Sequence, residues 1–359
     1  MKRFLPIIFI LMITIPLFAQ HPASVRQYVG WMDAAKLTAS DFQGMQLPKI
    51  GGTWFWVDPA NGTDSSTLDG KCHDNAFASL TYGYNACTSG AGDGIILVSG
   101  AVSGSSNSST MTTRIAWAKY GITVIGLAAP NAYFGRARVT HTSAADSLVT
   151  LIYLTGQNNT FINIDFYNSP ENDGDPVSAT AKVSAVQLSG PRNAFINCHF
   201  NCSPQSANAY KSDLEIRVSG DETVFNNCFF GSSSYDAGDN AACWIHLSGA
   251  TAQNFFTDCT FLQQVSAGTA FGGFETSGAA TLNGIDIFKR CVFAVWRANT
   301  HANICASWFI GTKPNTGNIG MLDCLTVGFT KIDAEADNDV VWSNQPAAAA
   351  GGGIGVATY

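Results

Sequence analysis

The most informative pattern in the chain is a segment of apolar and polar positions that recurs every 30 to 34 residues. Each copy has the form Phe, two residues, Cys or Ile, one residue, and in most copies a second Phe. The copies are centred on Ile164, Cys198, Cys228, Cys259, Cys291 and Cys324. A fixed period of this length is typical of a solenoid, in which each unit covers the apolar face of the next.

A second short segment of alternating residues precedes each copy and ends in glycine. These glycines are Gly156, Gly190, Gly220, Gly249, Gly278 and Gly311. Residues two and four positions before the glycine are mostly apolar, and alternation therefore predicts that they face the interior. The two predicted inward columns are Leu154, Leu188, Val218, Leu247 and Phe309, and Ile152, Val186, Ile216, Ile245 and Phe274. The unit is thus strand, glycine turn, strand and polar loop, with no helical period.

The Phe and Cys positions of the second segment are also predicted to stack inward, coil on coil. Cysteine is a good small buried apolar residue, and the chain has no Cys-x2-Cys pair of the kind that binds zinc. The residue before each Cys is Asn197 or Asn227 in two copies, and Asn tolerates the left-handed backbone of a bend. Asp258, Arg290 and Asp323 depart from Asn, which predicts a looser end.

The repeat divides the chain into segments. Residues 51–126 are predicted to form an N-terminal cap, with a short helix within Asn75–Cys87, and the first coils. Residues 127–330 form the repeats, and residues 331–359 an irregular C-terminal tail. Lys2 and Arg3 precede a short apolar run, so residues 1–19 are predicted to be a signal peptide and 20–50 a leader. The run is too short for a membrane span.

Composition narrows the class of protein. Charged residues make up 13% of the 359 residues and the net charge is −7, which excludes a broad nucleic-acid-binding surface. Hydrophobic residues make up 46%, enough for a sizeable core. In an exported protein with ten cysteines, Cys72 and Cys87 are the best candidates for a disulfide, because they lie outside the repeated column.

The residue three positions before each glycine is predicted to face outward. This column reads Tyr153, Gln187, Arg217, His246, Glu275 and Trp308, and the next outward column includes Glu215 and Trp244. Coils stack at about 4.8 Å, so six coils span a length comparable to several sugar rings. Aromatic and hydrogen-bonding side chains together predict a polysaccharide-binding face, with Tyr153, Gln187, Arg217, Trp244 and Trp308 as binding residues.

The same face offers candidate catalytic groups. Glu215 and Glu275 lie two coils apart, roughly 10 Å, near the upper limit for an inverting carboxyl pair. His246 lies on the coil between them and is a candidate acid or base. The competing interpretation is that outward positions of a solenoid are polar in any case. Calcium is the one candidate ion, at Glu171–Asp175 or at Asp58 with Asp64 or Asp69; no other metal or cofactor is expected.

These units, with the opening segment Val57-Asp-Pro-Ala-Asn-Gly-Thr-Asp64, resemble the right-handed parallel β-helix proteins of the pectate-lyase-like superfamily over residues 51–330. The resemblance implies an all-β solenoid. It does not imply one activity, because the superfamily includes lyases, glycoside hydrolases, adhesins and phage tailspikes. The catalytic segments of polygalacturonases are missing. Residues 115–139 also resemble phage-derived β-helix proteins.

Two functions follow as expectations. The first is a secreted or cell-surface protein that binds a polysaccharide and, if it is an enzyme, cleaves it as a lyase or glycoside hydrolase. The second is a structural or adhesive spike whose solenoid supplies rigidity and which assembles into a homo-oligomer such as a trimer. Neither function involves nucleic acid or a membrane span.

Overall fold

The computed structural model describes residues 51–98, 108–128, 136–141, 148–169, 182–203, 211–236, 242–250, 253–265, 271–277, 283–296, 305–311, 318–333 and 341–343. All of them lie in one compact unit, Pro48–Tyr359. The predicted signal peptide and leader lie outside the described residues. The strands pair in parallel and form three sheets, as expected for a parallel β-helix.

Each sheet takes one strand from each successive coil. The first sheet consists of β1 (Trp54–Val57), β2 (Gly94–Val98), β5 (Thr123–Leu127), β8 (Thr160–Ile162), β11 (Ala194–Ile196), β14 (Val224–Asn226), β17 (Phe255–Thr257), β20 (Ile285–Lys289), β23 (Asn318–Leu322) and β26 (Val341–Ser343). The second sheet consists of β3 (Ser109–Met111), β6 (Ala137–His141), β9 (Ile164–Asn168), β12 (His199–Cys202), β15 (Phe229–Asp236), β18 (Thr260–Gln264), β21 (Val292–Trp296) and β24 (Leu325–Val327). The third sheet consists of β4 (Ile115–Trp117), β7 (Ile152–Leu154), β10 (Val183–Leu188), β13 (Lys211–Ile216), β16 (Ala242–Leu247), β19 (Gly272–Thr276), β22 (Cys305–Gly311) and β25 (Phe329–Asp333).

The N-terminal end carries the predicted short helix. A 3₁₀ helix, His73–Asn75, precedes α1 (Leu80–Ala86), which is shorter than the predicted range. The Ser79 hydroxyl accepts a hydrogen bond from the Tyr82 amide and caps the helix. Leu80 and Tyr84 of this helix belong to the hydrophobic core. The helix therefore covers part of the apolar interior at the first coils, as a solenoid cap must.

The interior contains two continuous ladders of stacked phenylalanine rings. The first consists of Phe161, Phe195, Phe225, Phe256 and Phe288, with centroids 4.5–5.1 Å apart. The second consists of Phe166, Phe200, Phe230, Phe261 and Phe293, with centroids 4.4–5.5 Å apart. All ten rings are fully buried. The predicted inward Phe columns are confirmed, and each ring contributes about 1.5–3 kcal/mol by burial.

The cysteine column is also confirmed as internal. The thiol of each Cys donates to the carbonyl oxygen of the first-ladder Phe one coil earlier, at 3.3–3.5 Å. These pairs are Cys198 with Phe161, Cys228 with Phe195, Cys259 with Phe225, Cys291 with Phe256 and Cys324 with Phe288. Burial raises the pKa of the Cys198 and Cys228 thiols well above its ordinary value. These two thiols therefore stay protonated, and the column fills the core.

The residue before each Cys takes a left-handed conformation in every coil, with φ between 51° and 59° at Asn163, Asn197, Asn227, Asp258, Arg290 and Asp323. The corner divides what the sequence suggested was one strand into two strands of different sheets. The expectation of a looser end at Asp258 and Arg290 is wrong. Their amides donate to the next coil, Asp258 to Lys289 and Arg290 to Leu322, as do those of the Asn residues.

A ladder of buried polar residues, which we call the Asn ladder, runs beside the first Phe ladder, and sequence reasoning missed it. It consists of Asn159, Asn193, Thr223, Asn254 and Asp286, each two residues before a stacked Phe, and all are buried. From Asn193 onward, the side-chain oxygen of each member accepts a hydrogen bond from the backbone amide of the member one coil earlier, at 2.8–3.4 Å. Burial raises the pKa of Asp286 to about 7. The signal in the sequence was a polar residue at a constant offset from Phe.

The glycines do not mark the register of the third sheet. Leu188 pairs with Ile216, and Phe274 pairs with Phe309, so the coils that end at Gly220 and Gly311 are displaced by two residues relative to the glycine alignment. Val218 is consequently exposed rather than inward, which corrects the prediction. Strand pairing, not the turn, fixes which side chains share a column.

All ten cysteines lie in the described part of the chain and are free thiols. The candidate disulfide between Cys72 and Cys87 is not formed. Burial instead raises the pKa of the Cys87 thiol to about 12. Within the described ranges, no helix is long and apolar enough to cross a membrane.

Candidate functional site

The outer face of the third sheet carries a column of polar residues in strict register. Tyr153 pairs with Gln187, Gln187 with Glu215, Glu215 with His246, and His246 with Glu275. We call these five residues the outer polar column. Glu215, His246 and Glu275 therefore lie on consecutive coils of one column, which brings together the three candidate catalytic residues.

Three predicted binding residues are placed differently. Arg217 lies just beyond β13 and outside the column, because Glu215 occupies the paired position. Trp308 is fully buried and packs against Phe288 and Phe293 in the core. Trp244 is fully buried against Phe261 and Phe271. The prediction that both tryptophans face outward is wrong. The adjacent residues Trp308 and Phe309 both belong to the hydrophobic core, so the alternation used for the prediction is broken at Trp308.

A break in the alternation of β16 explains the position of Trp244. The adjacent residues Trp244 and Ile245 both belong to the hydrophobic core. Cys243 and His246 flank this pair and lie outside the core cluster, on the outer side of the sheet. The two-residue period used for the prediction therefore fails within this strand.

Glu215 is the best-connected member of the outer polar column. Its carboxyl group accepts hydrogen bonds from Gln187 Nε2 at 2.8 Å and from Ser248 Oγ at 2.7 Å. The guanidinium of Arg217 lies 3.6 Å from Oε1. Burial raises the pKa of Glu215 despite these favourable contacts. The group is held in place by its neighbours and is more readily protonated than a solvated glutamate.

His246 is fully buried, and neither ring nitrogen has a hydrogen-bond partner among the described residues. Burial lowers the pKa of His246 to about 3, and the positive charges of Lys182 and Arg217 contribute in the same direction. The imidazole is therefore neutral at ordinary pH. A neutral ring can accept or donate one hydrogen bond, but it is a poor source of a proton.

Glu275 is paired with a lysine that the sequence gave no reason to select. The ammonium group of Lys182 lies 2.5 Å from Glu275 Oε2 and 3.6 Å from Cys243 Sγ. Lys182 is fully buried, and the Glu275 side chain is only 12% exposed. These contacts join residues 93 and 61 positions apart in the chain. The pair neutralises both charges at the C-terminal end of the column.

The opposite end of the column is accessible. Tyr153 is partly exposed, and the guanidinium groups of Arg114 and Arg217 lie 5.4 and 5.8 Å from the centroid of its ring. Arg114 is exposed, and the Arg217 side chain is 39% exposed. We call Arg114, Tyr153 and Arg217 the tyrosine platform. It presents an aromatic face and two cationic donors to solvent.

The second sheet carries another polar cluster that sequence reasoning missed. Asp165 lies between Arg138 and His199 in register, with Arg138 Nε at 2.7 Å and His199 Nδ1 at 3.0 Å from its carboxylate oxygens. Burial opposes the ionisation of Asp165, but both partners outweigh it, so its pKa is lowered. His199 Nε2 also contacts the Gly231 carbonyl oxygen at 2.9 Å. Through its contacts with Asp165 and Gly231, His199 links three coils.

The N-terminal acidic residues have backbone partners. The carboxylate of Asp58 accepts from the amides of Ala60 and Asn61, and that of Asp64 accepts from the amides of Ala78 and Ser79. These contacts fix turns of the cap. Among the described residues, no group of three His, Cys, Asp or Glu side chains is placed to hold a metal ion. Calcium binding at Asp58 stays a prediction, and the Glu171–Asp175 cluster lies outside the described residues.

The chain matches no protein-family model and no curated protein sequence. Several solved structures have a similar fold. They include the deglycosylated pectin methylesterase from Aspergillus niger (12% identity, 83% of this chain and 86% of that chain, TM-score 0.46) and pectate lyase Pel9A (17%, 78% and 64%, 0.49). A full-length tailspike protein of Escherichia coli O157:H7 bacteriophage CAB120 is also similar (11%, 73% and 44%, 0.27).

At these identities the likeness concerns the fold alone, and no activity is transferred from it. The architecture is established by the chain's own strand pairing, with three sheets that each gain one parallel strand per coil. The short helix at the N-terminal end and the stacked interior ladders belong to the same arrangement. The chain is a parallel β-helix protein.

Proposed function

We propose that this protein is exported and binds an extracellular polysaccharide on the outer face of the third sheet. The basic start and short apolar run of residues 1–19 support export. The observation that carries the binding proposal is the tyrosine platform, where a partly exposed aromatic ring has two guanidinium groups near it at the open end of a polar column.

The chemistry of the platform suits a sugar. The ring of Tyr153 offers a flat apolar surface to the C–H face of a pyranose. Arg114 and Arg217 offer planar donors to hydroxyl groups, and more strongly to a carboxylate or sulfate on the sugar. Gln187, Glu215 and His246 of the column are buried, so the contact surface for a sugar is the platform at the open end of the column.

Binding is proposed ahead of bond cleavage because Glu215 and His246 are fully buried. Cleavage by Glu215, His246 and Glu275 remains a hypothesis. In its favour, Glu215 has a raised pKa, as a general acid requires, and Glu275 faces the ammonium group of Lys182. The neutral His246 would have to act as a hydrogen-bond partner to substrate.

Glycan-array binding of the full chain tests the proposal. Tyr153→Ala and Arg217→Gln should weaken binding of the best glycan at least tenfold, because they remove the stacking surface and one cationic donor. Phe255→Ala is the matched control, since Phe255 is an exposed aromatic residue on the first sheet. The proposal fails if no polysaccharide binds, or if Phe255→Ala weakens binding as much as Tyr153→Ala.

Cleavage is measured separately, as release of new chain ends from the same glycan. If the column is catalytic, Glu215→Gln abolishes release while the variant still binds, and thermal unfolding shows that it is folded. An absence of release by the wild-type protein would leave a binding protein only.

A second function is favoured by the outer face of the first sheet. Val224 and Phe255 pair with each other on adjacent coils, and each is 40% exposed. Exposed apolar residues in register are typical of association surfaces, which supports the structural spike that assembles with copies of itself. Sedimentation distinguishes the two functions. A concentration-independent trimer that binds no glycan would favour the spike.

A further inference from the structure

The last two coils place a pair of thiols where an oxidant can reach them. Lys289 pairs with Leu322 and Val292 pairs with Leu325, so Cys291 and Cys324 lie opposite each other at the same corner. Each thiol donates to the carbonyl oxygen of the Phe one coil earlier, so the two sulfur atoms belong to the same column. Parallel strands are about 4.8 Å apart, and disulfides form at Cα separations of about 4.4–6.8 Å.

The accessibility of Cys324 separates this pair from the rest of the column, whereas Cys291 is as buried as the inner cysteines. Cys198, Cys228 and Cys259 are also in contact with their neighbours, but they are fully buried. Cys324 is half-buried and lies on the last coil of the column. Thiol–disulfide exchange needs an approach path for the oxidant, and burial denies it to the inner cysteines.

We propose that Cys291 and Cys324 form a modification site, an oxidisable pair that closes the last two coils of the cysteine column with a disulfide. Cys324 gives up its proton to a solvent base and its sulfur attacks an external disulfide, R–S–S–R, which forms a mixed disulfide while one R–S⁻ leaves and takes up a proton. Cys291 then attacks the Cys324 sulfur and releases the second R–SH. Two protein thiols are oxidised, one external disulfide is reduced to two thiols, and no other reactant is needed.

This inference does not depend on glycan binding. Export would supply the oxidising compartment, but oxidised glutathione supplies the same disulfide in vitro. The link would cross the corner formed by Arg290 and Asp323, so that the last coil could no longer peel from the one before it. The bond therefore fastens the end of the solenoid that the helix α1 does not cover.

Alkylation of the full-length chain tests the proposal. After treatment with oxidised glutathione and removal of excess reagent, the denatured wild-type protein should have two fewer alkylatable thiols than the reduced protein, and peptide mapping should join Cys291 to Cys324. In Cys324→Ser no internal pair should form. Cys72→Ser is the control, because Cys72 is a partly exposed thiol outside the column, and it should still lose two thiols.

The proposal is overturned if the oxidised wild-type protein keeps all of its alkylatable thiols. It is equally overturned if mapping joins Cys72 to Cys87 or finds only glutathione adducts on Cys324. Should Cys324→Ser fold poorly, Cys291→Ser provides the same test from the other side of the pair.

Discussion

The interior of the solenoid and the outer face of its third sheet obey different rules. In the interior, each coil meets the same surroundings, and the same residue types recur as Phe, Cys and Asn ladders. On the outer face, the five residues of the outer polar column are of four different types, and no type recurs on adjacent coils. The residues that recur in every coil are therefore those that pack one coil against the next. The residues that do not recur, on the outer face, are those in which this protein differs from a solenoid that is only a scaffold.

Shortening a side chain should lower the free energy of unfolding more in the interior than on an exposed face. Phe225 is stacked between Phe195 and Phe256, so Phe225→Ala leaves a cavity in a continuous ladder and should lower the free energy of unfolding by about 3–5 kcal/mol. Val224→Ala, one residue away on the exposed face, should change it by less than about 0.5 kcal/mol. Denaturant unfolding measures both, and equal effects would remove the distinction between the faces.

On the outer face of the third sheet, substitutions should destabilise the protein most where they remove one partner of a buried ion pair. Lys182→Met keeps a buried side chain of similar length but leaves Glu275 without its ammonium partner, and should cost about 3–5 kcal/mol. Lys182→Met combined with Glu275→Leu should recover most of this loss. A double variant no more stable than Lys182→Met alone would show that the pair is not what stabilises this end of the column.

Asp286 is the one acidic member of the Asn ladder, and it should make the stability of the protein depend on pH. The pKa of Asp286 is raised to about 7 in the folded protein. This group therefore leaves the free energy of unfolding unchanged below about pH 4, lowers it as the pH rises to about 7, and has a constant effect above that pH. Asp286→Asn removes the penalty, so we expect it to stabilise the protein at pH 8, by at most about 4 kcal/mol, and little at pH 4.

Thermal unfolding across this pH range measures the difference. Asp69→Asn is the control, because Asp69 is exposed, and it should leave the pH profile unchanged. If Asp286→Asn destabilises the protein equally at pH 4 and pH 8, the carboxyl group is not neutral in the ladder.

The exposed corner should tolerate change best. Arg290 takes a left-handed conformation with φ of 52° and pairs with Asp258 at the surface. Arg290→Asn loses an exposed ion pair but gains a residue suited to that conformation, so we expect the melting temperature to move by less than about 2 °C. A large fall would show that the Arg290–Asp258 contact is essential to the corner.

The sequence predicted the interior of the solenoid better than the outer face of the third sheet. The Phe and Cys columns and the bend before each Cys follow from a repeat that every coil shares. The column on the third sheet was misassigned at Arg217, because the glycine used as a mark lies in a turn whose length varies between coils. Trp308 was misassigned because it and its neighbour Phe309 both face the core. Trp244 was misassigned because its strand breaks the two-residue alternation.

Lys182 illustrates a further limit. Its partners Cys243 and Glu275 lie on later coils of the third sheet, and no spacing in the sequence connects them. The Asn ladder, in contrast, was detectable, since each member precedes a stacked Phe by two residues. Contacts that repeat with the coil can be predicted from the period, and contacts that cross several coils require the structure.

Hydroxyl-radical footprinting of the tyrosine side chains tests most directly whether the third sheet's outer face takes up glycan. With the best-binding oligosaccharide present, oxidation of Tyr153 should fall several-fold, while oxidation of Tyr120, an exposed tyrosine outside the column, stays unchanged. Unchanged labelling of Tyr153 at saturating oligosaccharide would contradict the account, because the ligand would then lie elsewhere on the molecule.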